Sequence, residues 1–366
     1  MLKLAQLGEK LGDFREALKW TDEARDRLQG IPGSDAARQA ARAAGWYATV
    51  LQAAGKSADA IEWAERALSE AEACGDAEAL GDGYFVKGWA YGELAKEGAL
   101  ELMERSLEAY RRSDNLVRQA GVVMSLGVVC QWEGRWDEAM SYYERGRLES
   151  LKIGDTVGVA LARLNVAEIL VDRGEWGEAE PVLLETLPFW QSSQYHYYLG
   201  WCLAQLGRLA MRRGRFDEAL VRLDQAKANF VQVGAEQEVP VVRARIAECR
   251  LIMGDVDGAL VLVNEMQSHA DTSSGVARAK SLIARVQGHA LLLQGDAWGA
   301  RDALELSLAA ARERRDLFEI ALTLHSLIEV DRLEGVEPAL EMVDESRGLL
   351  SKLKIRAIPT LPTPTS

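Results

Sequence analysis

The residues that could carry out catalysis or bind a metal lack the spacing that such sites need. The four histidines stand at positions 196, 269, 289 and 325, and no two of them form a His-Glu-x-x-His pair. No cluster of cysteines and histidines has the spacing of a zinc site. The Gly-x4-Gly-Lys-Ser/Thr phosphate loop and the Gly-x-Ser-x-Gly nucleophile elbow are also missing from the sequence. We therefore predict a chain that is not an enzyme and that holds no metal and no cofactor.

The four cysteines, at positions 74, 130, 202 and 249, are too far apart along the chain to form a metal or redox pair. Each lies in a stretch with helical periodicity, so we expect buried, reduced thiols, as is usual in the cytoplasm. The N-terminal sequence has no signal-peptide layout, and no run of about 18 apolar residues could span a membrane. These observations predict a cytoplasmic protein without a membrane partner.

Residues suited to binding are concentrated in one stretch. Positions 188–198 are rich in aromatic side chains, which make up only 7% of the chain. In the helix expected to follow, Tyr197, Trp201, Arg208 and Arg212 recur at helical spacing and form one stripe. Tryptophan, tyrosine and arginine are the residues that most often anchor protein interfaces. Two interpretations remain: the stripe binds a partner, or the aromatic rings fill a wide gap between neighbouring structural units.

A repeated segment indicates the elements that position this stripe. The segment GRFDEAL begins at Gly214, and near-copies or weaker copies begin at Gly12, Gly55, Gly134, Gly174, Gly254 and Gly295. The glycines at 134, 174, 214 and 254 are 40 residues apart, and the next one follows after 41. A fixed period of this length predicts a solenoid of stacked helical hairpins.

Each part of the repeated segment has a predicted role in the hairpin. The glycine ends the first helix, where positive φ favours glycine. Asp217 is expected to cap the second helix by accepting a backbone N–H. Alanine stands five residues after the glycine, and a small residue such as Gly207 stands seven before it. We expect these small residues to face each other and let the two helices approach closely.

The order of small residue, glycine, aromatic residue and alanine resembles the tetratricopeptide repeat. The family unit has about 34 residues, and here the additional residues fall between units, for example at Gly75-Asp76 and Arg315-Asp316. The resemblance implies an all-α, right-handed superhelical solenoid of about eight or nine antiparallel helix pairs. It also implies that the first helix of each pair lines a concave groove.

By register, Trp132, Leu164 and Glu168 join the stripe on the groove side. Members of the family that bind chaperone tails hold a carboxylate with lysine and asparagine. The corresponding places here carry Glu168 and Glu248, which argues against capture of a carboxylate tail.

The solenoid is predicted over residues 1–353, followed by a disordered Pro/Thr-rich tail over residues 354–366. The first repeat is truncated, because only 11 residues precede Gly12. The apolar residues Leu2, Leu4, Leu7 and Leu11 are thereby left without an N-terminal neighbour. We expect them to pack on an upstream repeat or domain, or on a second copy of the chain through self-association.

These features predict a scaffold that binds a protein or peptide partner in its groove. The net charge of −13 argues against direct nucleic-acid binding. The long unit with its Gly-Asp pairs resembles the C-terminal arrays of bacterial LuxR-type regulators and of ATP-binding signalling proteins related to adenylate/guanylate cyclases. This resemblance implies a sensory or regulatory role in bacterial signalling or transcription regulation. The alternative is a non-catalytic C-terminal fragment of a multidomain cyclase or signalling ATPase.

Overall fold

The computed structural model describes residues 1–5, 14–94, 96–268 and 274–358. Within these ranges the chain consists of α-helices, one 3-10 helix and the turns between them, and no β-strand occurs. The all-α prediction is therefore confirmed.

The chain forms two compact units. Unit 1 comprises Met1–Trp132 and Asp137–Val159, and unit 2 comprises Glu133–Trp136 and Ala160–Ser366. The first helices in chain order are α1 (Phe14–Leu28), α2 (Ser34–Ala53), α3 (Ser57–Cys74), α4 (Ala77–Glu93), α5 (Ala99–Arg112), α6 (Leu116–Trp132), α7 (Trp136–Lys152) and α8 (Thr156–Arg173). They are followed by α9 (Trp176–Ser192), α10 (His196–Arg212), α11 (Phe216–Gln232), the 3-10 helix Glu236–Glu238, α12 (Val239–Ile252), α13 (Val256–Gln267), α14 (Ser274–Leu293), α15 (Ala297–Glu313), α16 (Leu317–Leu333) and α17 (Leu340–Leu353).

Consecutive helices from α2 to α17 form hairpins, each with a first and a second helix. The two helices of a hairpin pack together, as α2 with α3 in unit 1 and α10 with α11 in unit 2. First helices also contact the next first helix: α2 contacts α4 and α4 contacts α6 in unit 1, and α10, α12, α14 and α16 are in contact in sequence in unit 2. The predicted solenoid of helix pairs is confirmed. We call the surface made by the first helices of a unit its first-helix face.

The turn inside each hairpin is built as the repeat predicts. The glycines at 55, 134, 174, 214, 254 and 295 have φ between 72° and 89°, a region in which residues with a Cβ are strained. Gly12 and the leucines at 7 and 11 lie outside the described residues. The hairpin of α4 and α5 differs, because α4 ends before Leu94 at φ −86° and the positive φ of 91° falls on Gly98.

Small residues close the hairpins. The alanines that follow the turn glycines, at 17, 60, 139, 179, 219, 259 and 300, are all 0% exposed. A Cβ added at Gly207 would lie 2.8 Å from Leu223 Cγ and 3.2 Å from the Ala219 carbonyl oxygen. The expectation that a small residue of the first helix faces the alanine region of the second is therefore confirmed.

The predicted cap of the second helix is wrong. Helix α11 begins at Phe216 after Arg215, so Asp217 lies in the first turn. There its negative charge interacts favourably with the positive end of the helix dipole. The capping position is the residue directly after the turn glycine. Where that residue is aspartate, its side chain does cap: Asp255 accepts from Gly258 N and Asp296 accepts from Gly299 N.

The Gly-Asp pairs join one hairpin to the next. Gly75 takes a positive φ of 69°, and Asp76 then caps α4 by accepting from the backbone N–H groups of Glu78 and Ala79. At the equivalent junction before α16, Arg315 takes the positive φ of 52° without being glycine, and Asp316 caps the helix.

The end of the chain contacts an earlier part of unit 2. Arg173 Nε donates to the Leu353 carbonyl at 3.2 Å, and the Arg356 backbone N–H donates to the Arg173 carbonyl at 2.8 Å. Arg356 also forms an ion pair with Glu175 at 2.8 Å. Leu353 and Arg356 are thus bonded to residues at the end of α8 and just after it. Residues 359–366 of the expected tail lie outside the described residues. The extent of a disordered tail stays a prediction.

Candidate partner-binding face

The first-helix face of unit 2 carries a network of largely buried polar and charged side chains. Within each helix its members are separated by three or four residues, so they lie on one side of that helix. They come from α8, α10, α12, α14 and α16: Glu168, Asp172, Gln205, Arg208, Arg212, Arg245, Glu248, Arg285 and Glu319.

Arg208 joins α10 to α8. Its Nη2 donates to Asp172, and its Nη1 donates to Gln205 Oε1 at 2.8 Å. Gln205 Nε2 in turn donates to Glu168 Oε1 at 2.9 Å. Burial acts to lower the pKa of Arg208, but the charge of Asp172 outweighs it and raises the pKa above the usual value. The guanidinium is therefore held in its charged form between the two helices.

Glu248 on α12 is the centre of the network and is 0% exposed. Its Oε1 accepts from Arg212 at 3.0 Å and lies 3.5 Å from Arg285 Nη1, and its Oε2 accepts from Arg245 at 2.9 Å. Burial alone would raise the pKa of Glu248, but the three guanidiniums hold it well below the usual value. One carboxylate thus links three consecutive first helices.

Glu319 on α16 closes the network at its other end. Arg285 of α14 donates to it from Nε at 2.9 Å and from Nη2 at 3.3 Å, and Arg245 Nη2 lies 3.5 Å from it. Asp316, one turn earlier, has its pKa raised to about 6 by burial and by the charge of Glu319.

His289 lies one helical turn after Arg285 on the same helix. Its Nε2 is 2.8 Å from Ser326 Oγ, and the Ser326 hydroxyl donates to the Leu322 carbonyl at 2.9 Å. Burial and the charge of Arg285 lower the pKa of His289 to about 3. The imidazole is therefore neutral, and the bonds of Ser326 assign its proton to Nε2. His289 is therefore a packed residue beside the network.

Tyr197 and Trp201 lie on α10 before the charged residues. The Tyr197 hydroxyl donates to Glu238 Oε1 at 3.1 Å, and Arg278 donates to the same oxygen at 2.6 Å. The Tyr197 ring packs edge-on against Phe230 at 5.5 Å. Trp201 is partly exposed. The structure therefore brings together the four stripe residues on one helix, with Tyr197 packed, Trp201 accessible and the two arginines buried.

The aromatic segment before α10 is arranged around Trp190, which is 0% exposed. Its ring lies 5.0 Å from Phe189 and 5.1 Å from Tyr198, and it contacts Tyr195 edge-on at 6.5 Å. These rings pack between α9 and α10. This is the arrangement that the packing interpretation of the cluster expects, whereas Trp201 lies outside these ring contacts.

The other three predicted groove residues differ in their surroundings. Leu164 is 0% exposed in α8, and Glu168 belongs to the charged network. Trp132 is the last residue of α6 in unit 1, is 40% exposed and contacts Trp89 edge-on at 5.2 Å. Six of the seven predicted site residues therefore lie in unit 2.

Sequence reasoning missed Gln205, Arg245, Arg285 and Glu319 as members of the network. A signal for such a network was present six residues before the turn glycines, where Glu168, Arg208 and Glu248 alternate in charge from one repeat to the next. Alternating charges on neighbouring first helices are the pattern from which ion pairs between helices can be expected.

The thiols have the environment of packed residues. Cys130, Cys202 and Cys249 are buried, and Cys74 is partly buried. Burial raises the pKa of Cys202 to about 12 and that of Cys249 to about 11, which disfavours the reactive thiolate. Among the residues that the structure describes, no group of three or more His, Cys, Asp or Glu side chains could hold a metal ion, and no helix is long and apolar enough to cross a membrane.

Comparison with known proteins identifies the repeat. Residues 158–230, which include α9 and α10, match the family model of the tetratricopeptide repeat. The sequence resemblance to that repeat is therefore confirmed. No curated protein sequence matches the chain.

Several solved structures share the fold along nearly the whole chain. A Rap protein in complex with competence and sporulation factor is 15% identical, with 95% of this chain and 98% of that chain covered and a TM-score of 0.68. The apo form of RapI is also 15% identical, with 98% of each chain covered and a TM-score of 0.63. Aspartyl phosphate phosphatase F from Bacillus subtilis is 10% identical, with 99% and 95% covered and a TM-score of 0.57. At these identities the likeness establishes a shared helical-repeat fold.

Proposed function

We propose that this chain is a regulatory scaffold that binds a protein or peptide partner on the first-helix face of unit 2, as part of a bacterial signalling or transcription-regulatory system. The observation that carries the proposal is the charged network on that face. Hairpins close through alanine, glycine and leucine, and they need no charge to do so.

Folding stability alone does not explain why the chain has such a network. Removing guanidinium and carboxylate groups from water costs several kcal/mol per ion, and apolar residues of similar volume often stabilise a fold equally well or better. Polar groups at fixed positions do, however, provide specificity toward a ligand, because a ligand that does not match them leaves them unpaired. Trp201 of α10 is partly exposed and adds an aromatic side chain that could anchor a partner.

The structural comparison supports the same proposal. A Rap protein with this fold was crystallised in complex with competence and sporulation factor. We extend from that complex only the idea that an array of this kind binds a signalling partner. The prediction that this chain is not an enzyme, and the prediction that it does not bind nucleic acid, stay predictions.

Selection of short linear peptides from a displayed random library on the full chain tests the proposal. The selected peptides are then titrated against the wild-type chain and two variants by fluorescence anisotropy. Trp201→Ala should weaken binding by about tenfold or more, as expected when an interface anchor is removed. Trp298→Ala is the matched control, because Trp298 is 79% exposed on the second helix α15.

The control should bind like the wild type, and urea unfolding should show that both variants are folded. The proposal is contradicted if no peptide binds the chain. It is also contradicted if binding tolerates Trp201→Ala but is lost in Trp298→Ala.

A further inference from the structure

The last hairpin of unit 2 packs against a turn at the start of the same unit. Glu133–Trp136 belong to unit 2 and form the turn at Gly134. Leu317 of α16 lies against this turn, because a Cβ added at Gly134 would be 2.6 Å from Leu317 Cδ1. The ring of Phe318, also in α16, contacts the ring of Trp136 with centroids 5.9 Å apart. The row of hairpins in unit 2 therefore returns to its own beginning.

The end of the chain continues this contact at the end of α8. Arg173 is bonded in two directions: its Nε donates to the Leu353 carbonyl at 3.2 Å, and its own carbonyl accepts from the Arg356 backbone N–H at 2.8 Å. The Arg356 side chain forms an ion pair with Glu175 at 2.8 Å. The chain end is thus bonded to both sides of the turn at position 174.

The turn glycine at this point has a second role. A Cβ added at Gly174 would lie 2.8 Å from the backbone nitrogen of Ala357 and 3.2 Å from its Cα. Only glycine leaves room for the chain end here. Among the described residues, no atom lies within 4 Å of a Cβ added at the turn glycines at 55, 214, 254 and 295.

This contact closes the row of first helices that carries the charged network. Helix α8 is joined to α10 through the bond of Arg208 to Asp172, and α10, α12, α14 and α16 are in contact in sequence. The last hairpin then meets the end of α8. Inside the closed row, Glu248 and Arg285 are 0% and 1% exposed. A partner can reach the network only when the row opens at one of its junctions.

The junction made by the chain end is the one at which opening is expected. Neighbouring hairpins elsewhere are linked by a turn of the chain and by an apolar cluster, such as that of Leu251, Val263 and Ile283. The closing junction has no connecting turn. Beyond the apolar contacts of α16, it depends on the bonds of Arg173 and on an ion pair whose Arg356 side chain is 72% exposed. Exposed ion pairs contribute little, and local opening begins where few buried contacts hold a segment.

We propose that residues 353–357 are a latch that keeps the first-helix face of unit 2 closed, and that the partner binds the form in which the latch is released. This inference rests on the proposed function and specifies the regulation of that face. Closure lowers the apparent affinity by the fraction of chains that are open. Partner binding and latch release therefore favour each other by the same factor.

The first test follows one hydrogen bond of the latch. The Arg356 amide donates to the Arg173 carbonyl, whereas the adjacent Ile355 amide donates to the Leu350 carbonyl of α17 at 2.9 Å. Amide hydrogen exchange of the full chain is measured by NMR with and without a saturating selected peptide. The Arg356 amide should exchange about fivefold or more faster with the peptide bound, and the Ile355 amide should change less than about twofold. Unchanged or slower exchange at Arg356 with the peptide bound overturns the inference.

The second test weakens the latch by substitution. Gly174→Ala and Gly295→Ala place a Cβ at nearly the same φ, 81° and 83°, so the turn strain is matched. Only the alanine at 174 displaces the backbone of Ala357. Gly174→Ala should bind the selected peptides up to about tenfold more tightly than the wild type in fluorescence anisotropy. Relative to Gly295→Ala, it should also bind more tightly.

A milder variant keeps the test independent of turn strain. Arg356→Ala removes the ion pair with Glu175 and should increase peptide affinity about two- to fivefold. Arg347→Ala is the matched control, because this arginine of α17 has a side chain that is 75% exposed. If the chain end only stabilises the fold, both latch variants should bind peptides equally well or more weakly than their controls.

The outcomes separate this inference from the proposed function. Peptides that bind the wild-type chain, but bind Gly174→Ala and Arg356→Ala no more tightly, would overturn the latch and leave the proposed function standing. Absence of any peptide binding would instead contradict the proposed function, and the latch with it.

Discussion

The two units use the same hairpin packing but differ in the chemistry of their first-helix faces. The two faces differ most clearly at the position six residues before the turn that ends each first helix, a position that recurs in every repeat. In unit 1 this position carries Thr49, Gly88 and Val128, and in unit 2 it carries Glu168, Arg208, Glu248 and His289. Unit 1 also has charged contacts between its first helices, but at other repeat positions: Arg42 of α2 pairs with Asp76 at the start of α4 at 2.8 Å, and Arg118 of α6 lies 3.7 Å from Asp82 of α4. The side chains of these two arginines are 37% and 43% exposed, whereas those of Arg208 and Arg212 are 10% and 8% exposed.

This difference distinguishes the hairpin packing that the fold requires from the charged side chains that are added to it. Buried alanines such as Ala60 in unit 1 and Ala219 in unit 2 close hairpins in the same way. The charged network of unit 2 is therefore an addition to a self-sufficient packing scheme. This contrast is the reason that we propose unit 2, and not unit 1, as the partner-binding unit.

The largest effect is expected from removing the central carboxylate. Glu248→Gln leaves Arg212, Arg245 and Arg285 without their shared anion, and breaking a buried ion pair in this way costs about 3–5 kcal/mol. The free energy of unfolding in urea measures this loss. Val128→Ala, at the same repeat position in unit 1, is partly exposed and should cost less than about 1.5 kcal/mol. Similar small losses for both variants would contradict the proposed contrast.

Hairpin packing, by comparison, should respond alike in both units. Ala60→Leu and Ala219→Leu each add a larger side chain where the native alanine is 0% exposed. Overpacking of this kind costs about 1–3 kcal/mol, and urea unfolding should show a comparable loss for both variants. A large loss in one unit with none in the other would show that the hairpins do not share one packing scheme.

A dependence on pH is expected from His289 in unit 2. Its pKa of about 3 in the folded chain lies below the usual 6.5, so the unfolded chain binds the proton more readily between these values. Stability contributed by the neutral imidazole is therefore complete at pH 7 and is lost as the pH falls. At pH 5 the loss should reach about 2 kcal/mol, at 1.36 kcal/mol per pH unit.

The variant His289→Gln isolates this effect, since Asp316 titrates with the opposite sign. With a folded pKa of about 6, Asp316 gains relative stability as the pH falls below that value. Subtracting the pH profile of the variant from that of the wild type removes the Asp316 contribution. Identical profiles between pH 7 and pH 5 would show that His289 is not held neutral by Arg285 and burial.

The repeated parts of the fold could be predicted from sequence because they depend on short-range rules. A turn glycine such as Gly214 and an alanine such as Ala219 recur at fixed distances, and each acts within its own hairpin. The sequence alone places the cap two positions too late, because Asp217 and Arg215 both stand near the helix start and the backbone after Gly214 decides between them.

The charged network could be predicted only in part. Helical spacing placed Arg208, Arg212 and Glu168 on one face, but spacing within a helix does not determine which side chain of the next helix they meet. The contact of Arg356 with the end of α8 could not be predicted from the sequence, because it joins residues far apart in the chain and belongs to no repeat.

Hydrogen–deuterium exchange with a selected peptide tests the central assignment most directly. Backbone amides of α10 and α12 in unit 2 should exchange more slowly in the presence of the peptide, and those of α2 and α6 in unit 1 should be unchanged. Protection confined to the first helices of unit 1 would contradict the assignment of partner binding to unit 2.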